Sequence, residues 1–306
     1  MLALVAAPDK EEKVELREVP DPEPLPNEAL IAVRAISLNR GEVNRLATAV
    51  DGWRPGWDVA GEVLKAAADG SGPGQGQRVV GLSNFGGWCQ RLAIPIASLA
   101  VVPDGVSLAL AATLPVAGVT ALRLLRHGGL LLRRRVLITG ASGGVGRIAI
   151  QLAHQAGALV TAIVGSPERG EGLTDLGADE VVVGFESSSG EFDLVLEAAG
   201  GASLAHSLKV VGRHGVVVAY GNSAREPTTY LINDFYLKEA SLVGFYLIGD
   251  ALESPVGADL ATLLGLIVGR RLDPQLALEA SWRDAASALR ALRERNVPGK
   301  AVLHLD

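Results

Sequence analysis

Four glycines stand close together in the stretch LITGASGGVGRIAIQLAHQAGA, residues 137–158; they are Gly140, Gly143, Gly144 and Gly146. Apolar β-type residues precede the glycines and a helical apolar pattern follows them, which predicts a sharp strand-to-helix turn. Such a turn presents free backbone N–H groups and the positive end of the helix dipole, and glycines keep side chains out of the approach. The chemistry that this spacing supports is the binding of an anionic group such as phosphate.

The same stretch follows the dinucleotide fingerprint G-x-G-x-x-G, with Ala141, Gly143 and Gly146 at the three small-residue positions. Alanine at the first position departs from the strict pattern and leaves Gly140, just before it, to relieve the turn. Gly144 and Val145 complete the predicted cradle. A second strand, ALVTAIVG, follows the helix, as a βαβ unit requires. The segment therefore predicts a bound dinucleotide, and the alternative is a tight turn without a ligand.

The end of the second strand bears on which dinucleotide binds. An NAD-selective site normally ends this strand with Asp or Glu, which accepts hydrogen bonds from the ribose hydroxyls. Here the strand runs into GSPERG, where Ser166 and Arg169 are suited to a 2′-phosphate. This favours NADP(H), although Arg169 has the alternative interpretation of a solvated residue at a helix start.

The two parts of the 306-residue chain differ in the secondary structure that their sequence patterns predict. Up to about Val102, short β-type runs are separated by Pro and Gly clusters: KVELREV, EALIAVRAISL, AGEVLKAA, QRVVGL and QRLAIP. From Leu108 onward, helices alternate with compact strands: VLITG, LVTAIVG, EVVVG, DLVLEAAG and GVVVAYG. This alternation predicts a doubly wound α/β fold with a parallel sheet. Residues 258–270 and 282–295 read as helices, and the closing strand GKAVLHL is expected to return to the β-rich first lobe.

Composition excludes several classes of protein. The net charge is −6 without long like-charge runs, so neither nucleic acid nor a membrane surface is an expected partner. Cys89 is the single cysteine, which fits a reducing cytoplasm, and the N-terminus lacks a secretory pattern. The uncharged stretch 105–122 contains LPVAG and is interpreted as a buried helix pair broken there rather than a membrane span.

Several motifs together resemble the medium-chain dehydrogenase/reductases, and within them the zinc-independent quinone oxidoreductase and enoyl reductase branch. These motifs appear in family order over almost the whole chain: GWDVAGEV, LPVAGVTAL, GASGGVG, LGADEVV, DLVLEAAGG and PGKAVLHL. The resemblance implies a GroES-like β-rich lobe, residues 1–112 completed by 250–306, and a Rossmann domain over residues 113–249.

The resemblance also implies hydride transfer from NADPH. Zinc-dependent relatives carry Gly-His-Glu where this chain has Gly56, Trp57 and Asp58, and one cysteine cannot complete a zinc site. No metal is therefore expected. Without a Lewis acid the acceptor must already take hydride readily, as a quinone or an α,β-unsaturated carbonyl does.

Asn39 falls where this branch often places an asparagine beside nicotinamide or substrate, and its amide is suited to donate to an enolate oxygen. The alternative is an ordinary capping asparagine. Asn44 lies in the stretch where relatives often have a tyrosine proton donor. Arg45 is a surface residue or attracts an anionic thioester, and Asp58 is expected to be structural.

The remaining predicted cofactor residues come from strand ends and from the resemblance. Strand ends at the carboxyl edge of a parallel sheet are where ligands bind. These residues are Thr120, Ala199, Gly200, Tyr220, Gly221, Asn222, Phe245 and Lys300.

The leading hypothesis is an NADPH-dependent, zinc-independent reductase of quinones or enones. A non-catalytic NADPH sensor or partner-binding protein is an alternative, because a fold does not specify a reaction. A polyketide-tailoring enoyl reductase is a further alternative. By analogy, ASLVGFYL supplies an edge strand for a homodimer.

Overall fold

The structure of the chain is a computed structural model that describes residues 1–305. Its strands, in chain order, are β1 (Leu2–Ala6), β2 (Val14–Glu18), β3 (Glu28–Leu38), β4 (Asp58–Lys65), β5 (Arg78–Leu82), β6 (Arg91–Pro95), β7 (Leu99–Val101), β8 (Arg135–Ile138), β9 (Leu159–Val164), β10 (Glu180–Val183), β11 (Phe192–Glu197), β12 (Val211–Ala219), β13 (Ser241–Gly244), β14 (Leu276–Ser281) and β15 (Lys300–His304).

The helices are mostly short. In chain order they are α1 (Arg40–Leu46), α2 (Leu108–Ala112), α3 (Val119–Arg126), α4 (Gly144–Gln155), α5 (Gly201–Val210), α6 (Asn233–Tyr236), α7 (Leu247–Glu253), α8 (Gly257–Val268) and α9 (Ala285–Arg293). Single 3₁₀ turns cover Ile96–Ser98, Pro167–Gly170, Phe185–Ser187 and Trp282–Asp284.

The chain divides into two compact units. The first unit contains Met1–Val119 and the chain from Ala251 onward, and the second unit contains Thr120–Asp250. The first unit is therefore built from both ends of the chain.

A mixed sheet organises the first unit, with the strand order β14-β15-β3-β4-β5-β7 and β6 paired with β3. The prediction that the last strand returns to the first lobe is confirmed, because β15 lies antiparallel to β3 with Ala301 opposite Leu38. Strand β14, which the sequence pattern did not predict, pairs with β15 in parallel. Strands β1 and β2 form a separate antiparallel pair, of which only β2 was predicted.

A six-stranded parallel sheet organises the second unit, with the order β10-β9-β8-β11-β12-β13. This is the 3-2-1-4-5-6 order of the Rossmann fold, with its switch point between β8 and β11. The predicted parallel sheet is confirmed. The middle residues of its central strands β8 and β11 are apolar because both faces of the sheet are covered, and Val136, Leu137 and Val195 are completely buried.

The LPVAG segment forms a π-helical turn, Leu114–Gly118, between α2 and α3. The buried helix pair predicted for this stretch is thus present, but its break is helical rather than a loop. A Cβ on Gly118 would lie 2.9 Å from Leu263 of α8, so glycine permits this close packing. Among residues 1–305, no single helix has the length and hydropathy to cross a membrane, and only one helix pair passes that test when taken together.

Candidate active site

The glycine turn of the second unit joins β8 to α4. Gly140 adopts a left-handed backbone conformation with φ +60°, which glycine tolerates better than other residues. The turn is closed by a hydrogen bond from the Gly143 N–H to the Gly140 carbonyl at 3.0 Å. It is held to the next strand by the Ala141 N–H, which donates to the Ile163 carbonyl at 3.2 Å.

Two glycines of this turn have different functions. A Cβ on Gly146 would lie 2.6 Å from the Ala141 Cα, so this glycine lets the helix pack on the turn. A Cβ on Gly143 would meet only the Gly140 carbonyl oxygen, at 3.4 Å, so the exposed side of Gly143 is bare. The N–H groups in the first turn of α4 have no carbonyl partner within the helix. This bare cradle fits the pyrophosphate of a dinucleotide.

Predicted cofactor residues from β11 and β12 lie beside this turn. A Cβ on Gly140 would lie 3.3 Å from the Ala198 Cβ, and one on Gly221 would lie 2.7 Å from the Ala198 carbonyl oxygen. Gly200 has φ +74°, and a Cβ there would lie 2.5 Å from Asn222 Oδ1. The carboxyl ends of β8, β11 and β12 therefore meet at one edge of the sheet and leave little space for side chains.

A buried carboxylate, Glu197, organises this edge and was not singled out from the sequence. It is 0% exposed and accepts hydrogen bonds from Thr139 Oγ1 at 3.1 Å, Ser203 Oγ at 2.7 Å and the Gly200 N–H at 2.9 Å. Desolvation and the charge of Glu197 raise the pKa of Tyr220 above its ordinary value, so this phenol stays neutral at physiological pH. A charged residue that ends an apolar strand was the available sequence signal for Glu197.

Ser166 and Arg169 share the short loop after β9. A Cβ on Gly165 would lie 3.9 Å from the Arg169 guanidinium. A hydrogen bond from its own backbone, the neighbouring Ser166 hydroxyl and the nearby Arg169 charge lower the pKa of Glu168. The loop therefore presents one cation and one hydroxyl, with an exposed carboxylate between them.

Thr120 and Phe245 also belong to the second unit. Thr120 lies in α3 and is buried. Phe245 follows β13, and its ring meets His127 edge to face at 6.3 Å.

Asn39 and Lys300 belong to the first unit, at the end of three neighbouring strands. Asn39 follows β3 and is the N-cap residue of α1. Asp58 begins β4 opposite Ser37, and Lys300 begins β15 beside Leu38. The strand register therefore brings Asn39, Asp58 and Lys300 together.

These three residues and Glu42 of α1 form what we call the buried polar cluster: Asn39, Glu42, Asp58 and Lys300. Lys300 Nζ donates to Asn39 Oδ1 at 2.7 Å and to Asp58 Oδ2 at 3.3 Å. Asn39 Nδ2 donates to Asp58 Oδ2 at 2.9 Å and to Glu42 Oε2 at 3.1 Å. Both amide hydrogens of Asn39, which were predicted to contact substrate, are therefore directed at carboxylates.

The charges of the buried polar cluster perturb one another. Burial and the nearby Asp58 raise the pKa of Glu42 to about 8. Asp58, 0% exposed, also has a raised pKa because of burial, which the Lys300 charge opposes. Lys300 is 3% exposed, and its ammonium also donates to the Leu38 carbonyl at 3.2 Å, so its donors point into the protein.

An aromatic group lies near this cluster. Trp57, whose backbone N–H donates to Glu42 Oε1 at 2.7 Å, packs against Phe85, and Trp53 meets Phe85 edge to face. The guanidinium of Arg45 stands 5.0 Å from the Phe85 ring centroid. Within residues 1–305, no group of three or more His, Cys, Asp or Glu side chains could hold a metal ion.

Comparisons with known proteins agree with this architecture. The family described as zinc-binding dehydrogenase matches residues 144–264. A chloroplast envelope quinone oxidoreductase homolog from Arabidopsis thaliana is 33% identical over 258 residues, covering 76% of this chain and 78% of that protein. An acryloyl-coenzyme A reductase from Metallosphaera sedula is 27% identical, and the match covers 94% of this chain and 96% of that protein.

Among solved structures, the quinone oxidoreductase from Coxiella burnetii superimposes with a TM-score of 0.85 at 24% identity, covering 100% of this chain and 99% of that one. The chain belongs to the medium-chain dehydrogenase/reductase superfamily of oxidoreductases. Within it, the chain belongs to the branch of zinc-independent quinone oxidoreductases and enoyl reductases.

Proposed function

We propose that the chain is an NADPH-dependent, zinc-independent oxidoreductase that transfers hydride to a quinone or an α,β-unsaturated carbonyl compound. One observation carries the proposal: the glycine turn is bare on its outer side and lies at the carboxyl edge of a sheet with Rossmann strand order. Its amides and the dipole of α4 would hold the pyrophosphate.

The preference for NADPH is supported by the loop after β9. Arg169 supplies a guanidinium for a 2′-phosphate, and Ser166 supplies a hydroxyl. Strand β9 ends at Val164 and is followed by Gly165 rather than by the acidic residue that would hold the ribose hydroxyls of NAD.

Other predicted cofactor residues contribute by leaving space for the cofactor rather than by a charge or a hydroxyl. Gly200 and Gly221 leave room at the sheet edge, and Glu197 fixes the backbone of Ala199 and Gly200 through their N–H groups. When bound, the nicotinamide supplies the hydride. Thr120, Phe245 and the hydroxyl of Tyr220 remain proposed neighbours of the cofactor.

Zinc independence is supported by the chemistry of the available donors. Trp57 stands where zinc-dependent relatives carry histidine, and burial raises the pKa of Cys89 to about 11, which disfavours the thiolate that binds metals. Asp58 and Glu42 are hydrogen-bonded within the buried polar cluster. An acceptor that needs no Lewis acid fits such a site, and the names of the relatives include both a quinone oxidoreductase and an acryloyl-coenzyme A reductase.

The test combines NADPH binding with turnover on three acceptors: a small benzoquinone, a simple enone and acryloyl-coenzyme A. We expect NADPH to bind and its absorbance to fall with at least one acceptor. The Gly143→Ala variant should bind NADPH about 5- to 100-fold more weakly, since a methyl group overfills the cradle by ~1–3 kcal/mol. Gly265→Ala, with nothing within 4 Å of its Cβ, is the matched control. Absence of NADPH binding would refute the proposal.

A non-catalytic NADPH-binding protein is a second candidate, because both amide hydrogens of Asn39 are engaged and Asn44 replaces the tyrosine of relatives. Tight NADPH binding without oxidation by any of the three acceptors would favour it. Turnover of acyl groups on a carrier protein, but not of free enones, would favour the polyketide-tailoring alternative.

We also propose a homodimer through the edge of the second unit's sheet. Strand β13 is an edge strand, and apolar side chains around it are exposed: Leu231, Ile232, Leu237 and Leu242. Light scattering on the wild type and on Leu242→Lys tests this, and a monomeric wild type would contradict it. The single cysteine supports a cytoplasmic location for the enzyme.

A further inference from the structure

Helix α4 carries a buried arginine directly after the last glycine of the turn. Arg147 is 6% exposed and is followed by Ile148 and Ala149, which are completely buried. Arginine is rarely buried to this degree, because removing its charge from water is costly unless the guanidinium is hydrogen-bonded. Burial lowers the pKa of Arg147, although an arginine remains charged.

The guanidinium of Arg147 bridges two backbone segments of the second unit. Its Nε donates to the Ser142 carbonyl at 3.2 Å, and its Nη2 donates to the Glu171 carbonyl at 3.3 Å. Ser142 belongs to the glycine turn. Glu171 ends the 3₁₀ turn Pro167–Gly170 that contains Arg169.

The two bridged segments are the two phosphate-binding parts of the proposed cofactor site. The glycine turn would hold the pyrophosphate, and the loop from Ser166 to Glu171 would hold the 2′-phosphate. In a dinucleotide these groups are joined through one ribose, so their separation is fixed. A rigid bridge between the segments therefore determines whether both can be bound at once.

We propose that Arg147 is a positioning residue that sets the distance between the glycine turn and the Ser166–Glu171 loop, and that it thereby determines the preference for NADPH over NADH. The inference rests on the proposed function. Arg147 acts through backbone carbonyls, so its effect on binding is exerted through Arg169 and Ser166.

The test replaces Arg147 with methionine, which keeps the length of the side chain but cannot donate. Affinities for NADPH, NADH, 2′,5′-ADP and 5′-AMP are measured by titration. We expect Arg147→Met to weaken NADPH and 2′,5′-ADP about tenfold, as the loss of a charged hydrogen bond of ~1.5 kcal/mol would, and NADH and 5′-AMP about twofold or less. In the cofactor-free protein, amide hydrogen exchange should accelerate in residues 166–171.

Leu152→Ala is the matched control, because it removes a buried apolar side chain from the same helix and destabilises the unit without removing a donor. It should leave the NADPH to NADH affinity ratio unchanged. If Arg147→Met does not fold, Arg147→Lys, which keeps the charge but not the planar fork, is expected to lower the same ratio.

The outcomes separate the two proposals. A wild type that binds neither dinucleotide refutes the proposed function. A wild type that prefers NADPH, together with an Arg147→Met protein of unchanged preference and unchanged exchange in residues 166–171, refutes the positioning role alone.

Discussion

The buried polar cluster of the first unit and the glycine turn of the second unit both lie at strand ends, but they are built in opposite ways. The cluster gathers charged side chains whose donors and acceptors bond to one another, as Lys300 does with Asn39 and Asp58. The glycine turn removes side chains and leaves the N–H groups in the first turn of α4 without carbonyl partners within the helix. Polar groups that are satisfied internally stabilise a fold, whereas groups that are left open bind a ligand.

Asn39 and Lys300 both belong to the internally bonded region, and their contacts with substrate and cofactor remain predictions. The contrast predicts that substitutions in the two regions have different consequences. Changes in the buried polar cluster should mainly alter stability, and changes around the glycine turn should mainly alter binding.

The largest effect is expected for Lys300→Met, which leaves the buried Asp58 without its counter-charge. We expect the free energy of unfolding to fall by about 3–5 kcal/mol, measured by urea denaturation. Adding Asp58→Asn should recover part of the loss. Lys65→Met, at an exposed position of the same unit, should change stability by less than ~0.5 kcal/mol. A stable Lys300→Met protein with lost NADPH binding would instead make Lys300 a cofactor contact.

The pH dependence of stability should also show the effect of burying Glu42 in the buried polar cluster. Because the pKa of Glu42 is raised from 4.5 to about 8 on folding, its contribution to stability is present below the unfolded pKa and is lost as pH rises through the folded value. The stability difference between wild type and Glu42→Gln should therefore fall between pH 4.5 and 8, by at most ~1.4 kcal/mol per pH unit. A difference that is independent of pH would contradict this.

On the other side of the comparison, Arg169→Ala should raise the KM for NADPH by about ten- to a few hundred-fold, since a charged hydrogen bond contributes ~1.5–3 kcal/mol. The KM for NADH and the stability should change little. Arg213→Ala, an exposed arginine of the same unit, is the control. Steady-state kinetics with both cofactors measure the effect. An unchanged KM for NADPH would mean that Arg169 does not contact the 2′-phosphate.

Within the glycine turn, Gly146→Ala should affect folding and Gly143→Ala should affect binding. The first substitution overlaps the Ala141 backbone and should lower the free energy of unfolding by about 1–3 kcal/mol. The second meets only the Gly140 oxygen at 3.4 Å and should cost about 0.5 kcal/mol or less. Thermal unfolding distinguishes the two variants. Equal losses of unfolding free energy would mean that the turn is not open at Gly143.

The smallest effect is expected for Glu168→Gln. Removing the carboxylate takes a negative charge away from the proposed 2′-phosphate position in the Ser166–Glu171 loop. NADPH should bind about two- to fivefold more tightly at low salt, as an exposed charge pair would allow, and less so at high salt. NADH affinity is the internal control, and weaker NADPH binding would contradict the proposed position.

The second unit was largely predictable because its signals are local. Apolar runs such as DLVLE and GVVVA identify β11 and β12, and the glycine spacing identifies the turn. The order of strands in the sheet then follows from the βαβ pattern.

The first unit was less predictable because its cluster depends on strand register. Asn39, Asp58 and Lys300 are far apart in the chain, and only the pairing of β15 with β3 and of β3 with β4 brings them together. Arg147 was missed for a related reason. Its guanidinium donates to the backbone carbonyl of Glu171, and a backbone acceptor cannot be recognised from residue types in the sequence. Strand β14 is short and has no fully buried residue, and its sequence LALEAS gave no clear signal.

The position of β15 has a consequence for biosynthesis. Strand β15 lies between β3 and β14, and it follows both of them in the chain, so the sheet of the first unit stays interrupted until β15 has been synthesised and has left the ribosome. The second unit, which uses one continuous segment, has every strand available much earlier. The edge of β3 that pairs with β15 therefore stays open until then, and the Asp58 carboxylate gains the ammonium of Lys300 only when β15 joins the sheet.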